Sequence, residues 1–229
     1  PTHLSQRAAI EMEVLAHPLI VSEMAKRWNI KFFGPSFLPR YEFIGNKRIE
    51  TVEDLKGVKI RISGLNAKAL ALFGAVPTMV TAPEGYTALD RGTIDSFGQA
   101  YTYAHGAYKL YEVSKYVTDG FNMSGFMCFQ GVNIDAWNNT PEKVRQALPR
   151  AQTEAIAAMI KAYEKADKYW IPIFEEHVEI VKIPPSELTK LQNVSEQIWD
   201  EWASDQEKKG RPGIEMLNFV KATVAKHNY

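Results

Sequence analysis

One cysteine stands among the 229 residues, and that scarcity removes whole classes of chemistry. Cys128 can form no internal disulfide and belongs to no multi-cysteine metal site. Flanked by Phe126-Met127 and Phe129, it reads as a small buried hydrophobe. Charge of one sign is equally absent. Lys+Arg and Asp+Glu each number 27, and the densest basic run, Lys208-Lys209-Gly210-Arg211, follows Asp205 and Glu207 as a solvated helix end. A nucleic-acid partner needs a basic excess or a basic block, so none is expected. No run approaches the roughly 18 apolar residues of a membrane span, so no direct insertion into a membrane is expected. Pro1-Thr2-His3 does not open like a signal peptide, although a leader removed earlier would leave no trace.

Catalytic patterns are missing too. The five histidines, His3, His17, His105, His177 and His227, show no ligand pair at helical spacing. There is no GxSxG elbow, no GxGxxG and no Walker loop. The carboxylate pairs Glu53-Asp54 and Glu175-Glu176 fit solvated or dipole-matching positions at helix ends. No metal and no cofactor is expected, and an enzyme is the minority reading.

What is present is the balance of an ordinary globular protein, 45% hydrophobic and 24% charged. Apolar spacing predicts a helix over Ser5–Trp28 broken at Pro18. Strands are expected at Ile30–Phe33 and Tyr41–Ile44. Thr51 starts a short acidic turn that stops at Gly57. In Val58–Ile62 the apolar Val58, Ile60 and Ile62 face one way and Lys59 and Arg61 the other, a strand. A helix over Ser63–Phe73 closes at Gly74. A strand at Val76–Val80, a helix at Pro83–Arg91 and an extended Thr93–Phe97 follow. Beyond lie a helical Ala104–Val113, an extended Lys115–Thr118 and a continuous apolar Gly125–Asn133 that reads as a buried strand. Thr140-Pro141 caps a long helix running towards Trp170, with Pro149 as a possible break. Val178–Ile183 and two last helices, parted near Gly210–Gly213, complete the chain. The alternation of helix and strand implies an α/β lobe whose strands end at a ligand crevice.

Arg61 is the one residue whose place suggests binding. At the end of a strand, its guanidinium can pair with a carboxylate through two parallel charge-assisted bonds. Taken alone, a Lys59/Arg61 alternation is more readily a wet sheet face.

The surrounding motifs decide between these. Arg48–Arg61 resembles the segment leading to the carboxylate-binding arginine of DctP-type solute receptors of tripartite ATP-independent periplasmic (TRAP) transporters. Leu72–Pro77, Glu84–Asp95, Tyr111–Tyr116 and Asn133–Trp137 are similar to later landmarks of that family, in the same order. The resemblance implies a two-lobed periplasmic-binding-protein-like α/β fold with a ligand cleft and long C-terminal helices. One lobe would comprise 1–38 and 126–165, the other 39–125 and 166–229. It implies a periplasmic receptor that binds a small organic acid and hands it to integral-membrane transporter subunits. A ligand-sensing module of the same fold is the alternative, and an enzyme using the cleft is the third.

Residue by residue, the resemblance places Arg61 at the clamp and Gln99 at a polar cleft position after Ile94-Asp95. Tyr41 falls at a second cleft position that often carries a long polar side chain, and Ala82 where some relatives set an aromatic ring. Phe97, Tyr101 and Tyr103 supply aromatic surface for stacking, although Phe97 fits the lobe core equally well. Three departures matter. Tyr41 removes a charge, Gly98 replaces a glutamate and so disfavours a bridging metal, and Ala82 leaves room for a bulkier ligand. Family members also open with a β/α segment of the first lobe, and this chain is expected to begin after it.

Overall fold

The computed structural model describes residues 3–123 and 127–227. In chain order the helices are α1 (Leu4–Leu15), α2 (Pro18–Trp28), α3 (Gly64–Leu72), α4 (Gly85–Asp90), α5 (Tyr103–Ala107), α6 (Ile134–Asn138), α7 (Glu142–His177), α8 (Pro185–Lys208) and α9 (Gly213–Lys226). The strands are β1 (Ile30–Pro35), β2 (Tyr41–Gly45), β3 (Lys59–Arg61), β4 (Val76–Pro77), β5 (Ser96–Ala100), β6 (Tyr116–Asp119), β7 (Phe129–Asn133) and β8 (Glu179–Lys182).

Internal packing divides the chain into two units, Pro1–Leu38, Phe126–Glu164 and Glu215–Tyr229 against Pro39–Gly125 and Lys165–Ile214. The sequence reading set everything after 166 with the second lobe, but the chain from Glu215 onward groups with the first unit. The reason is tertiary: in α9, the Phe219 ring lies 4.3 Å from His17, and Lys226 and His227 both bond Glu13.

In the first unit, Pro18 breaks the opening helix as expected, because His17 accepts a bond from Leu19 N and Pro18 takes the first helical position. β1 and β7 pair antiparallel, with a register slip between Phe32 and Gly34. The run 125–133 was expected to be a buried strand. Residues 124–126 lie outside the description, the strand itself starts at Phe129, and its residues are mostly exposed because a two-stranded ribbon buries little of either face. Cys128 is half-buried rather than buried.

α7 runs through Pro149 without a break. The Pro149 carbonyl also accepts the Thr153 hydroxyl. Thr140 does not cap this helix, because its hydroxyl bonds back to Ala136 O.

The second unit is a six-stranded mixed sheet in the order β4-β3-β5-β2-β6-β8. β3 runs parallel to β4 and β5, β6 parallel to β8, and β2 antiparallel to β5 and β6. The parallel strands therefore all end at the edge where β2 begins. Ile44, Leu89, Ile94, Phe97, Leu110, Val117 and Phe174 form the buried core on which this edge rests. Local signals are read cleanly here: Thr51 with Asp54 and Thr81 with Glu84 form capping boxes, and Gly74 takes φ +82° at the end of α3. Two expected elements are shorter than their patterns. β4 stops at Pro77, and Ala104–Val113 splits into α5 and a 3-10 turn around Lys109 at φ +55°.

Candidate ligand-binding site

The strand ends of the second unit gather most of the residues singled out from sequence, and such an edge is where open α/β sheets bind ligands. Arg61 is the last residue of β3. Its Nε donates to Val80 O at 3.1 Å and its Nη1 to Gly98 O at 3.2 Å. Its guanidinium carbon lies 4.8 Å from the centre of the Phe97 ring, which the parallel register sets beside it on the same face. The Phe97 ring is fully buried and Gly85 lets α4 press onto it: a Cβ there would stand 2.3 Å from Phe97 Cε2. Ala82, two residues past Val80, is half-buried against the same core.

Arg61 is set apart from Arg40 by its partners. Among the described residues no carboxylate pairs with it, whereas Arg27, Arg40, Arg48 and Arg145 all have such partners. Its acceptors are two neutral carbonyls. Burial pushes its pKa down, with the phenols of Tyr41 and Tyr108 acting weakly the other way. A half-buried cation held in place by neutral groups can accept an anion without first breaking an ion pair.

The remaining predicted residues are distributed less evenly. Gln99 is half-buried near the end of β5, its Oε1 accepting from Ala100 N at 3.3 Å. Tyr41 opens β2 opposite Ala100, is buried, and exchanges backbone bonds with Met123. Tyr101, expected as a stacking surface, is instead packed into the core between Phe174 and His105 with Arg40 4.6 Å above its ring. Its hydroxyl has no partner among the described residues, and burial raises its pKa.

Sequence reasoning missed the ion cluster next to Tyr101. Arg40 Nη1 lies 2.6 Å from Asp119 Oδ1 and 3.8 Å from Glu42 Oε1, and Lys182 also bonds Asp119. Glu42 is wholly buried, accepting from Thr118 Oγ1 and from the backbone N–H groups of Gly120, Phe121 and Asn122. Burial pushes its carboxyl up, opposed by Arg40 and these bonds. Burial also acts to raise Asp119, but Lys182 and Arg40 outweigh it and hold that carboxyl low. The sequence hints at it only in setting Arg40 just before β2 and Glu42 within it. Tyr108 was missed as well, and nothing in its spacing marks it.

A recess of about 300 Å³ lined by Tyr101, Asp119, Glu175, Val178 and Lys182 lies on the β6–β8 side and does not include Arg61. Its one cation, Lys182, is already paired with Asp119, so Arg61 is the better centre for recognising an anion. Among the described residues no three His, Cys, Asp or Glu converge on a metal position, and no helix is long and apolar enough to cross a membrane. Gly98 is tightly enclosed: a Cβ there would stand 2.8 Å from Ile62 Cδ1 and 3.0 Å from Phe43.

The chain's likeness to known proteins agrees with this architecture. It is 32% identical over 119 residues to the monocarboxylate 2-oxoacid-binding periplasmic protein of Nostoc sp. strain PCC 7120, a match covering 52% of this chain and 33% of the relative. The match thus spans about a third of the curated relative's length. In structure it is similar to the periplasmic ectoine-binding protein of the TeaABC TRAP transporter of Halomonas elongata. There the TM-score is 0.83 at 19% identity, over 99% of this chain and 74% of the other. A marine metagenome TRAP solute-binding protein specific for aromatic acid ligands, in complex with metahydroxyphenylacetate, gives a TM-score of 0.79. Its identity is 16%, over 100% of this chain and 73% of that one. These two likenesses concern the fold. The family model for bacterial extracellular solute-binding protein, family 7, matches residues 37–206, nearly all of the second unit and part of the first, and the chain belongs to that family, DctP.

Proposed function

We propose that this protein is the periplasmic receptor of a TRAP transporter, binding a small organic acid by its carboxylate at Arg61 and delivering it to the membrane subunits. The observation that carries this reading is the half-buried guanidinium with neutral acceptors and no carboxylate partner among the described residues. The Val80 and Gly98 carbonyls and the Phe97 ring fix the plane of the fork, so its remaining N–H groups can meet a planar carboxylate in a defined direction. Gln99, at the end of β5, adds a neutral hydrogen-bonding group on the same side of the sheet edge, and Tyr41 and Tyr108 contribute phenols within electrostatic range. Ala82 leaves space beside the clamp.

Support also comes from the relatives. The Nostoc protein is named for monocarboxylate 2-oxoacids and the marine protein for aromatic acids. The carboxylate is common to both.

A thermal-shift screen against aliphatic mono- and dicarboxylates, 2-oxo acids, aromatic acids and sugar acids tests the proposal. A ligand present at about 100 times its dissociation constant adds about 2.7 kcal/mol of stability, an easily measured rise. Stabilisation by an acid that is lost in Arg61→Ala is the expected result. Stabilisation by uncharged solutes alone would overturn it.

A further inference from the structure

We infer, resting on the reading of Arg61 as the clamp, that the ligand is a monocarboxylate whose remaining body is uncharged. Among the described residues two guanidiniums stand at this edge of the sheet, those of Arg61 and Arg40, and Arg40 is committed to carboxylates. Arg40 lies against Asp119 at 2.6 Å and Glu42 at 3.8 Å, with its flat face on Tyr101. Lys182, the next cation along the edge, is bonded to the same Asp119. Two cations and two carboxylates therefore cancel within that cluster.

Around Arg61 there is no such balance. Its contacts are Val80 O, Gly98 O and the Phe97 ring, and the groups acting on it electrostatically are the phenols of Tyr41 and Tyr108. Gly98, Gln99 and Ala82 add no charge. Among the described residues Arg61 is thus a half-buried cation at this edge with no carboxylate partner. One carboxylate neutralises it. A second would have to leave water beside phenols, an amide and carbonyl oxygens, with Arg40 already committed to Asp119 and Glu42.

The test is titration calorimetry near neutral pH with acids matched in size: p-toluate against terephthalate, and pentanoate against glutarate. The monoanion of the better pair is expected to bind about tenfold or more tightly than its dianion. Gln99→Lys, which adds a cation at a half-buried position near the end of β5, should narrow that preference by about tenfold. If Gln99→Lys fails to fold, Asp119→Asn, which removes the nearer of Arg40's two carboxylates and the partner of Lys182, should move the ratio in the same direction. Dianions binding as tightly as monoanions, with both lost in Arg61→Ala, would overturn the inference and leave the clamp standing. Binding of either class that survives Arg61→Ala, or no binding of any acid, would overturn the clamp and the inference with it.

Discussion

Gly85 sits where α4 presses on the Phe97 ring that underlies Arg61, so the Gly85→Ala variant separates packing from backbone preference. The backbone at Gly85 is already helical, at φ −56° and ψ −43°, so alanine meets no conformational penalty. In an exposed helix the change should stabilise by about 1 kcal/mol. Here the new Cβ would stand 2.3 Å from Phe97 Cε2 and 2.8 Å from Cδ2, far inside ordinary contact. The ring cannot swing into solvent, because Phe97 is fully buried. Overpacking of this kind costs about 1–3 kcal/mol. Steric strain should therefore offset or exceed the helix gain, for a net loss of up to about 2 kcal/mol. In a chain of this size that lowers Tm by about 2–4 °C per kcal/mol. Thermal denaturation of Gly85→Ala and of Gly85→Ala/Phe97→Leu checks the mechanism. The smaller leucine should recover part of what the single variant loses, a non-additive pair. A Gly85→Ala protein more stable than the parent by a full helix-propensity increment would refute the reasoning.

Two pH-dependent predictions follow from buried groups. Glu11 is buried with Oε2 unpartnered among the described residues, and burial raises its pKa to about 7 against the pull of Arg7. Its raised value favours the folded state below the ordinary carboxyl pKa and loses that advantage as pH climbs through 7, so Glu11→Gln should gain about 3 kcal/mol relative to the parent at pH 8 compared with pH 4. Equal denaturant midpoints for the two proteins across that range would contradict it. His105 is fully buried with neither ring nitrogen partnered among the described residues, and burial lowers its pKa to about 3. The unfolded chain therefore binds the extra proton below about pH 6.5, and His105→Phe should widen its lead over the parent by about 2 kcal/mol between pH 7 and pH 5. Denaturant titrations at both pH values measure this, and a lead that does not grow on acidification would count against it.

Much of the second unit was legible because its local signals agree with its tertiary structure. The apolar alternation of Val58, Ile60 and Ile62 put Arg61 on the other face of a strand, and the caps at Thr51 and Gly74 punctuate the elements beside it. What stayed hidden depends on contacts between distant residues. Glu42 accepts from Thr118 and Asn122, 76 and 80 residues away, and no spacing rule announces such a pairing. Tyr101 offered a phenol that wants a partner, yet the core took its ring and its hydroxyl has none among the described residues. The apolar composition around Phe129 predicted burial, whereas pairing with β1 alone leaves it 41% exposed. The return of α9 to the first unit rests on Glu13 and His17, whose identities look unremarkable in sequence.

The clamp itself is tested most directly by calorimetric titration of the best-stabilising acid into the parent, Arg61→Ala and Arg61→Lys. Removing the guanidinium leaves a desolvated carboxylate unpaired, which should cost about 3–5 kcal/mol, a loss of roughly a hundredfold or more in affinity. Lysine keeps the charge but not the planar fork, so it should recover only part of that loss. Unchanged affinity in Arg61→Ala, with the fold intact, would contradict the account at its centre.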